Sequence, residues 1–498
     1  METRPNQDSA HSANQIQTIA SLIESCKMSS DFASDKAEGS LFSVHYFKPI
    51  INKDVLHRSI MPYLKNAGQN ISLIGLQTAI PIDHSVISSD PSEIEELLMR
   101  GHILVIPAAA VKEALLIAAP SIEKRPVGQP EVEYSVIGPK EAFVESLDIN
   151  LNLVRKRMPT RNLIIQELKA GSISKTRIAV IHLNEVANKE NVEKVLHNIR
   201  GIQFDQIADS SFILQLISDN STSPFPQMID SERPDRVTSE LAEGKIAIIV
   251  DGSPHALICP TTLIQFFSAF EDYFLPWPIA SVFRMIRLFA VFFSVVSTSL
   301  YVAVLTYHYE MIPSNLLDPL IASRSGIPFP PIIEAIILEL TIELLREAGA
   351  RLPQKIGQTI GIVGGIVIGT AAVEAGLTSN VLLIIVSLAA LASFTTPIYQ
   401  MGNTIRLIRF PFIIGGQLWG IFGVFLCFGF FICHILSLTS FGRPYIAPVY
   451  PLRWRDLKDS LFRLPFSVQN TRPVQMRSQD PVRFHRPSKQ RKPDIEES

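Results

Sequence analysis

The sequence predicts an α/β N-terminal region of two subdomains followed by an α-helical polytopic membrane domain with four to five apolar segments. Three observations predict it. Apolar residues make up 47% of the 498 positions and charged residues 18%, too apolar for an ordinary soluble enzyme and too charged for a chain lying wholly in a bilayer. Short β-rich runs alternate with helical patterns as far as Trp277. Beyond Arg284 the character changes to long uncharged runs.

Taken in order, residues 1–40 are rich in Ser, Asp, Asn and Gln and are expected to be disordered, with one short helix over Ile16–Cys26. The polar N-terminus has no apolar h-region, so no cleavable signal is expected and the first domain is expected in the cytoplasm. Residues 41–283 read as a soluble α/β domain. Ile103–Ile106, Arg177–Leu183 and Lys245–Val250 read as strands, and Asn191–Ile199 as a helix. Asp251-Gly252 sits between two apolar runs and predicts a hairpin. The Pro-rich stretch Lys124–Pro139 divides the region in two. No internal repeat is visible.

Residues 284–440 read as the membrane domain. Leu288–Tyr307 carries no charge and as a helix is about 30 Å long, the thickness of the hydrocarbon core. Ile356–Val373, Val381–Ile398 and Pro411–Leu438 are the next candidates. Pro331–Ala348 is helical and apolar yet carries Glu334, Glu339, Glu343 and Glu347. Residues 441–498 form a polar tail rich in Pro, Lys and Arg, expected in the cytoplasm. Arg284 and Arg287 before the first span put the soluble domain inside. If the glutamate helix spans, the basic loops fall inside but five crossings leave the tail outside. If it does not span, the tail is inside and those loops are outside. A third solution folds the last apolar region back.

The stretches Gly138–Leu151, Ser223–Gln227 (SPFPQ), Glu232–Asp235 (ERPD) and Lys245–Pro254 resemble, in this order, the A subunit of GerA-type spore germination receptors. So do Ile327–Glu334, Glu343–Pro353, Gly357–Ile368 and Ser440–Tyr445 in the membrane half. The cover runs from about Gln129 to Pro465. The resemblance implies a multi-pass protein of the spore inner membrane, with soluble domain and tail on the core side. It also implies a homo-oligomer, expected to be a pentamer, working with a transporter-like B subunit that binds the nutrient and a lipoprotein C subunit. Release of monovalent cations then starts germination. Both termini inside requires an even number of crossings, which favours four. The related A-like protein encoded with the dipicolinate channel genes shares these motifs.

Three constellations are candidate site residues. Gly357, Gly361, Gly365 and Gly369 recur every fourth position and form a bare stripe on a helix, where a neighbouring backbone can come close. The stripe packs either within one chain or between subunits around a pore. In the second case Thr359, Val363, Val367 and Thr370 on the opposite face line the pore, and the valines form a constriction that gates by dewetting. Glu339, Glu343 and Glu347 share one helix face. They are candidates for an acidic ion path, or else lie at the interface with Arg346 and Arg351 as partners. Glu232, Arg233 and Asp235 form a structural loop in which Arg233 is held between carboxylates.

Other function classes are disfavoured. Lys and Arg number 45 against 47 Asp and Glu, a net charge of −2, which argues against a nucleic-acid partner. No P-loop, GxSxG or zinc-protease pattern occurs. No catalytic set, metal or cofactor is expected, and the chain is expected not to be an enzyme. Cys26, Cys259, Cys427 and Cys433 are scattered and suggest neither disulfide nor zinc. His45, His57, His102, His182 and His255 lack ligand spacing. Trp277 and Trp454 flank the membrane region as interfacial anchors, and the tail suits anionic headgroups. The expected function is a nutrient-gated channel subunit. The alternatives are a non-conducting scaffold for the B and C subunits, or a secondary transporter.

Overall fold

The computed structural model describes residues 18–36, 41–66, 71–82, 84–107, 112–121, 128–131, 133, 135, 137–352, 365, 367–460 and 462–484. Two five-stranded antiparallel sheets come first. The first holds β1 (Phe32–Lys36), β2 (Phe42–Phe47), β3 (Ser85–Ser88), β4 (His102–Pro107) and β5 (Ala114–Ala118). The second holds β6 (Leu163–Ala170), β7 (Thr176–Leu183), β8 (Ile229–Ser231), β9 (Ile246–Val250) and β10 (Ala256–Cys259). The strand orders are β1-β2-β4-β5-β3 and β6-β7-β9-β10-β8. Renumbered within each unit, the two orders are the same.

The helices repeat as well. α1 (Ile19–Cys26) precedes the first sheet. α2 (Lys53–Val55), α3 (Met61–Asn66) and α4 (Leu73–Ala79) follow its second strand, and α5 (Pro91–Met99) lies between its third and fourth. In the second unit α6 (Leu147–Arg157), then α7 (Lys189–Arg200) and α8 (Ser210–Ile217), then α9 (Pro234–Ala242) take the same places. The likeness reaches single residues. Pro91 and Pro234 open α5 and α9, where a proline's missing N–H costs nothing. Ile94 and Leu98 are buried as Val237 and Leu241 are. Gly101 (φ +85°) and Gly244 (φ +94°) end the two helices in the left-handed region. The expectation of no internal repeat is corrected: the same topology occurs twice, without a repeat legible in the residues.

Part of the expected disorder is also corrected. Ile19, Leu22, Ile23 and Cys26 of α1 are buried in the first core, and β1 pairs with β2. The two units are tied at several points, and one is a buried ion pair. Arg155 of α6 donates to both carboxylate oxygens of Asp31 at 2.9 Å and to the carbonyl of Leu163 at 2.9 Å. Its guanidinium lies 4.3 Å from the Phe47 ring centroid. The expected strands and hairpin coincide with β4, β7, β9 and the β9–β10 pair.

The bundle follows: α10 (Trp277–Tyr307), α11 (Ser314–Arg324), α12 (Pro331–Arg351), α13 (Asn380–Ser393) and α14 (Tyr399–Ser437). Residues 367–374 are also helical. Among the described residues two helices, α10 and α14, are long and apolar enough to cross a membrane; most of the candidate Ile356–Val373 lies outside the described residues. Pro411–Leu438, a candidate span or a re-entrant region by sequence, is not one straight helix. α14 breaks at Trp419 and Gly420 (φ +59°) and doubles back. Across the fold Cys427 Sγ lies 3.5 Å from the Pro411 carbonyl, and Phe412 stacks on Phe431 with centroids 5.6 Å apart. Gly415 and Gly423 touch backbone to backbone, leaving no room for a side chain on either. The fold-back is the third of the three topological solutions.

Helix directions follow from contacts. The first turns of α10 meet the tail, through Ser281 Oγ donating to the Arg463 carbonyl at 2.8 Å. Its last residue, Tyr307, donates to the Leu418 carbonyl at 3.3 Å, beside the fold of α14. α12 runs the opposite way. Glu334 accepts from the Ser379 N–H, while Arg346 reaches Asn403 near the start of α14. The described part of the tail packs into the fold. Phe441 lies in the core behind the second sheet and Tyr445 in the core in front of it. α15 (Trp454–Ser460) lies against α10, whose Arg284 donates to the Asp459 carbonyl.

Candidate functional site

The second α/β unit and the bundle share one core. Phe225, Ile229, Val237 and Ile249 belong to the same apolar cluster as Met401, Ile405 and Phe412 of α14. The joint is built on Ser223–Gln227. Two prolines in that run fix φ and remove two N–H groups, so the segment cannot join a sheet and its carbonyls stay free to accept. Thr404 Oγ1 donates to the Pro224 carbonyl. Tyr445 Oη donates to the Pro226 carbonyl at 2.7 Å. Gln227 offers its carbonyl to Ser440 Oγ at 2.7 Å and Thr261 Oγ1 at 2.8 Å. Ser223 Oγ lies 3.0 Å from His434 Nε2. One five-residue run thus grips both limbs of α14 and the start of the tail. The motif carried the family resemblance, but its role was not read; the paired prolines were the available signal.

The ERPD loop stands at a second contact. Arg233 donates to both oxygens of Asp235, at 3.1 and 2.7 Å, and lies 5.6 Å from the Phe270 ring centroid. Glu232 accepts from the Glu131 N–H at 2.7 Å and lies 3.6 Å from His255 Nε2. Arg236, which sequence reasoning missed, pairs with Glu133. With Arg287, Phe270 and the α13–α14 connection at Phe394–Pro397, Arg233 and Arg236 enclose a cavity of about 210 Å³. Next to it burial pushes the Asp230 carboxyl up to about 6, with His255 at 3.3 Å pulling the other way.

Inside the bundle every glutamate of the predicted acidic face has an arginine partner. Glu339 takes Arg409 at 3.1 Å and Thr298 Oγ1 at 3.0 Å. Arg409 donates in turn to Ser294 Oγ and, at 2.8 Å, to the Ala389 carbonyl. Four helices therefore meet at one buried charge pair. Glu343 pairs with Arg346, with Arg406 at 3.9 Å, and Glu347 pairs with Arg351 at 2.6 Å. Glu334, the fourth, pairs with Arg324 at 2.9 Å. Arg346 and Arg351 are the partners that spacing suggests. Arg409, seventy residues from Glu339, is not visible to spacing.

Of the glycine stripe, Gly357 and Gly361 lie outside the described residues, as do Thr359 and Val363. Among the described residues, no atom lies within 4 Å of where a Cβ on Gly365 would be, and Gly369 meets Leu383 at 3.7 Å. Val367 and Thr370 are exposed.

The model of the Bacillus/Clostridium GerA spore germination protein family matches residues 18–475. The chain belongs to the GerA family. The spore germination protein GerQA of Bacillus cereus is 48% identical over 474 residues, covering 95% of each chain. Spore germination protein KA of Bacillus subtilis is 37% identical and covers 89% of this chain and 82% of its own length. The membrane protein YfkQ of Bacillus subtilis is 34% identical over 95% of this chain and 93% of its own. Among solved structures, the N-terminal domain of the A subunit of the Bacillus megaterium spore germinant receptor GerK3 covers 50% of this chain and 94% of that one. Its identity is 26% and its TM-score 0.37.

Proposed function

We propose that this GerA-family chain is the A subunit of a spore germinant receptor in the spore inner membrane, and that it forms an oligomeric, nutrient-gated cation channel. A transporter-like B subunit and a lipoprotein C subunit are its partners, and its role is not enzymatic. The observation that carries the reading is the shared core. A shift of the second α/β unit must move α14, because Thr404, His434 and Tyr445 hang on the same five residues. Packed interfaces switch between discrete arrangements rather than deform smoothly.

The open space beside Gly365, which no described residue fills, supports the oligomer. Gly365→Leu is expected to leave the isolated chain folded, since no described residue fills that space. It is expected to shift the native mass in mild detergent from a closed ring to smaller species. A monomer for the parent protein counts against the channel. With Val367 on the pore face, Val367→Ala is expected to leak ions without nutrient; unchanged gating at normal protein level removes it from the pore.

The scaffold is the second reading, and one observation favours it. Glu339, Glu343 and Glu347 are neutralised within one chain, which weakens the acidic ion path. Loss of germination from changes at Ser223–Gln227, with no effect of any change at 365–370, supports the scaffold.

A further inference from the structure

We propose that the first three turns of α10 are embedded in lipid, with Ile279, Val282, Phe283 and Ile286 facing the bilayer and the boundary with water running at Trp277 and Trp454. This rests on reading the helical bundle as the membrane domain. The occupant of this surface is a lipid bilayer.

Hydropathy puts the boundary ten residues later, because Arg284 and Arg287 look like the charged edge of a span. The structure turns both arginines inward. Arg284 is 1% exposed and Arg287 9%. Arg287 donates to Asp272 at 3.1 and 3.2 Å and to the Phe267 carbonyl at 2.8 Å, and Arg284 donates to the Asp459 carbonyl. No other charged residue occurs in α10. Its opposite face carries Ile279, Val282, Phe283, Ile286 and Phe289, spaced three and four apart and all exposed. The same face carries Phe292 and, two turns further along α10, Leu300, both also exposed. A surface continuous with the lipid-facing side of a span, and equally apolar, has the same neighbour.

Length agrees. At 1.5 Å per residue the 31 residues of α10 reach about 46 Å, close to the ~40–45 Å of a bilayer with its headgroups and well beyond the ~30 Å hydrocarbon core. Aromatic residues stand at both ends, as they do at membrane interfaces. Trp277 is at one end, with Trp454 of α15 docked on the same side. Tyr307 and Trp419 are at the other, and all four are exposed.

These three tryptophans are the only ones in the chain, so they serve as depth probes. The full-length protein is placed in phosphatidylcholine vesicles brominated either near the headgroup or near the chain end. Double Trp→Phe substitution leaves one native tryptophan at a time. Ile286→Trp, Val282→Trp and Phe292→Trp are made in a tryptophan-free background. Trp277 and Trp454 are expected to lose emission to shallow bromine and not to deep bromine. Ile286→Trp and Val282→Trp are expected to be quenched from the upper acyl region, and Phe292→Trp, midway along α10, most strongly by deep bromine. Quenching of Phe292→Trp with none of Ile286→Trp or Val282→Trp overturns the inference. Blue emission there then marks a second copy of the chain and red emission marks water. If Phe292→Trp is also unquenched, the membrane reading of the bundle fails instead.

Discussion

Where the first α/β unit has Asp90 at the start of its α5 helix, the second has Arg233 at the start of α9. The surrounding design is the same. Ser88 accepts the Asp90 N–H at 3.1 Å, and Ser231 accepts the Arg233 N–H at 3.2 Å. Asp90 caps its helix in the ordinary way, taking the Ser92 N–H at 3.0 Å. Arg233 cannot cap, since it has no acceptor; it locks Asp235 and faces Phe270 instead. One substitution at a helix N-terminus thus marks which copy serves itself and which serves the bundle. The cores differ likewise. The first unit closes on its own residues, while the second takes in α14 and the tail. Two units of the same topology are present, and Ser223–Gln227, before the third strand of the second, holds the bundle to that unit.

The largest expected effect breaks the link between the copies. Arg155→Ala leaves Asp31 buried and unpaired, and denaturant unfolding should show a loss of about 3–5 kcal/mol. Arg155→Met with Asp31→Asn should recover much of it, because no uncompensated charge remains. Equal losses in the single and double variants would mean that packing on Phe47, not charge, joins the units.

A smaller effect separates the copies by pH. His45 in the first unit and His182 in the second are both lowered to about 4 by burial. A histidine held neutral in the fold takes up its proton more readily when unfolded, so each opposes folding as pH falls from 6.5 towards 4. Each should cost about 3 kcal/mol at pH 4 and nothing at pH 8. His182→Gln should therefore flatten the acid limb of the second unit, and His45→Gln that of the first. Hydrogen exchange read separately over each sheet checks this, and a flat acid limb in the parent would refute it.

The smallest effect compares the two helix-ending glycines. An alanine at either position is strained by about 1–2 kcal/mol, because φ is positive. A Cβ on Gly101 also comes within 2.7 Å of the Ile50 carbonyl, while on Gly244 the nearest atom, the Val186 carbonyl, is 3.3 Å away. Gly101→Ala should thus lower the unfolding midpoint more than Gly244→Ala, and the reverse order would show that the first unit yields more easily there.

Much of the fold was legible because its signals are local. β7 is a β-branched run buried over its last six residues and flanked by turns; α7 shows a 3.6-residue period and is capped by Asn188, whose side chain takes the Glu190 N–H at 2.9 Å. The charge partners Arg346 and Arg351 follow from helical spacing. The candidate joint was less legible. Ser223–Gln227 matters through carbonyls left free, and a sequence shows side chains, not unpaired carbonyls. The fold of α14 hid in an apolar run. Gly415, Gly416, Gly420 and Gly423 read as ordinary membrane-helix glycines until Gly420 is seen at positive φ.

By itself the sequence determined the division into an α/β region and an apolar helical region, several strands and helices, and the family. Those follow from periodicity, composition and motif order, which are properties of neighbouring residues. Only the tertiary structure decided that the α/β unit occurs twice, that Glu339 meets Arg409, that the tail is packed, and that Arg284 and Arg287 point inward. Each depends on residues brought together from distant parts of the chain. The reason is physical: a buried charge must find a partner wherever the packing supplies one, and sequence distance does not enter that requirement.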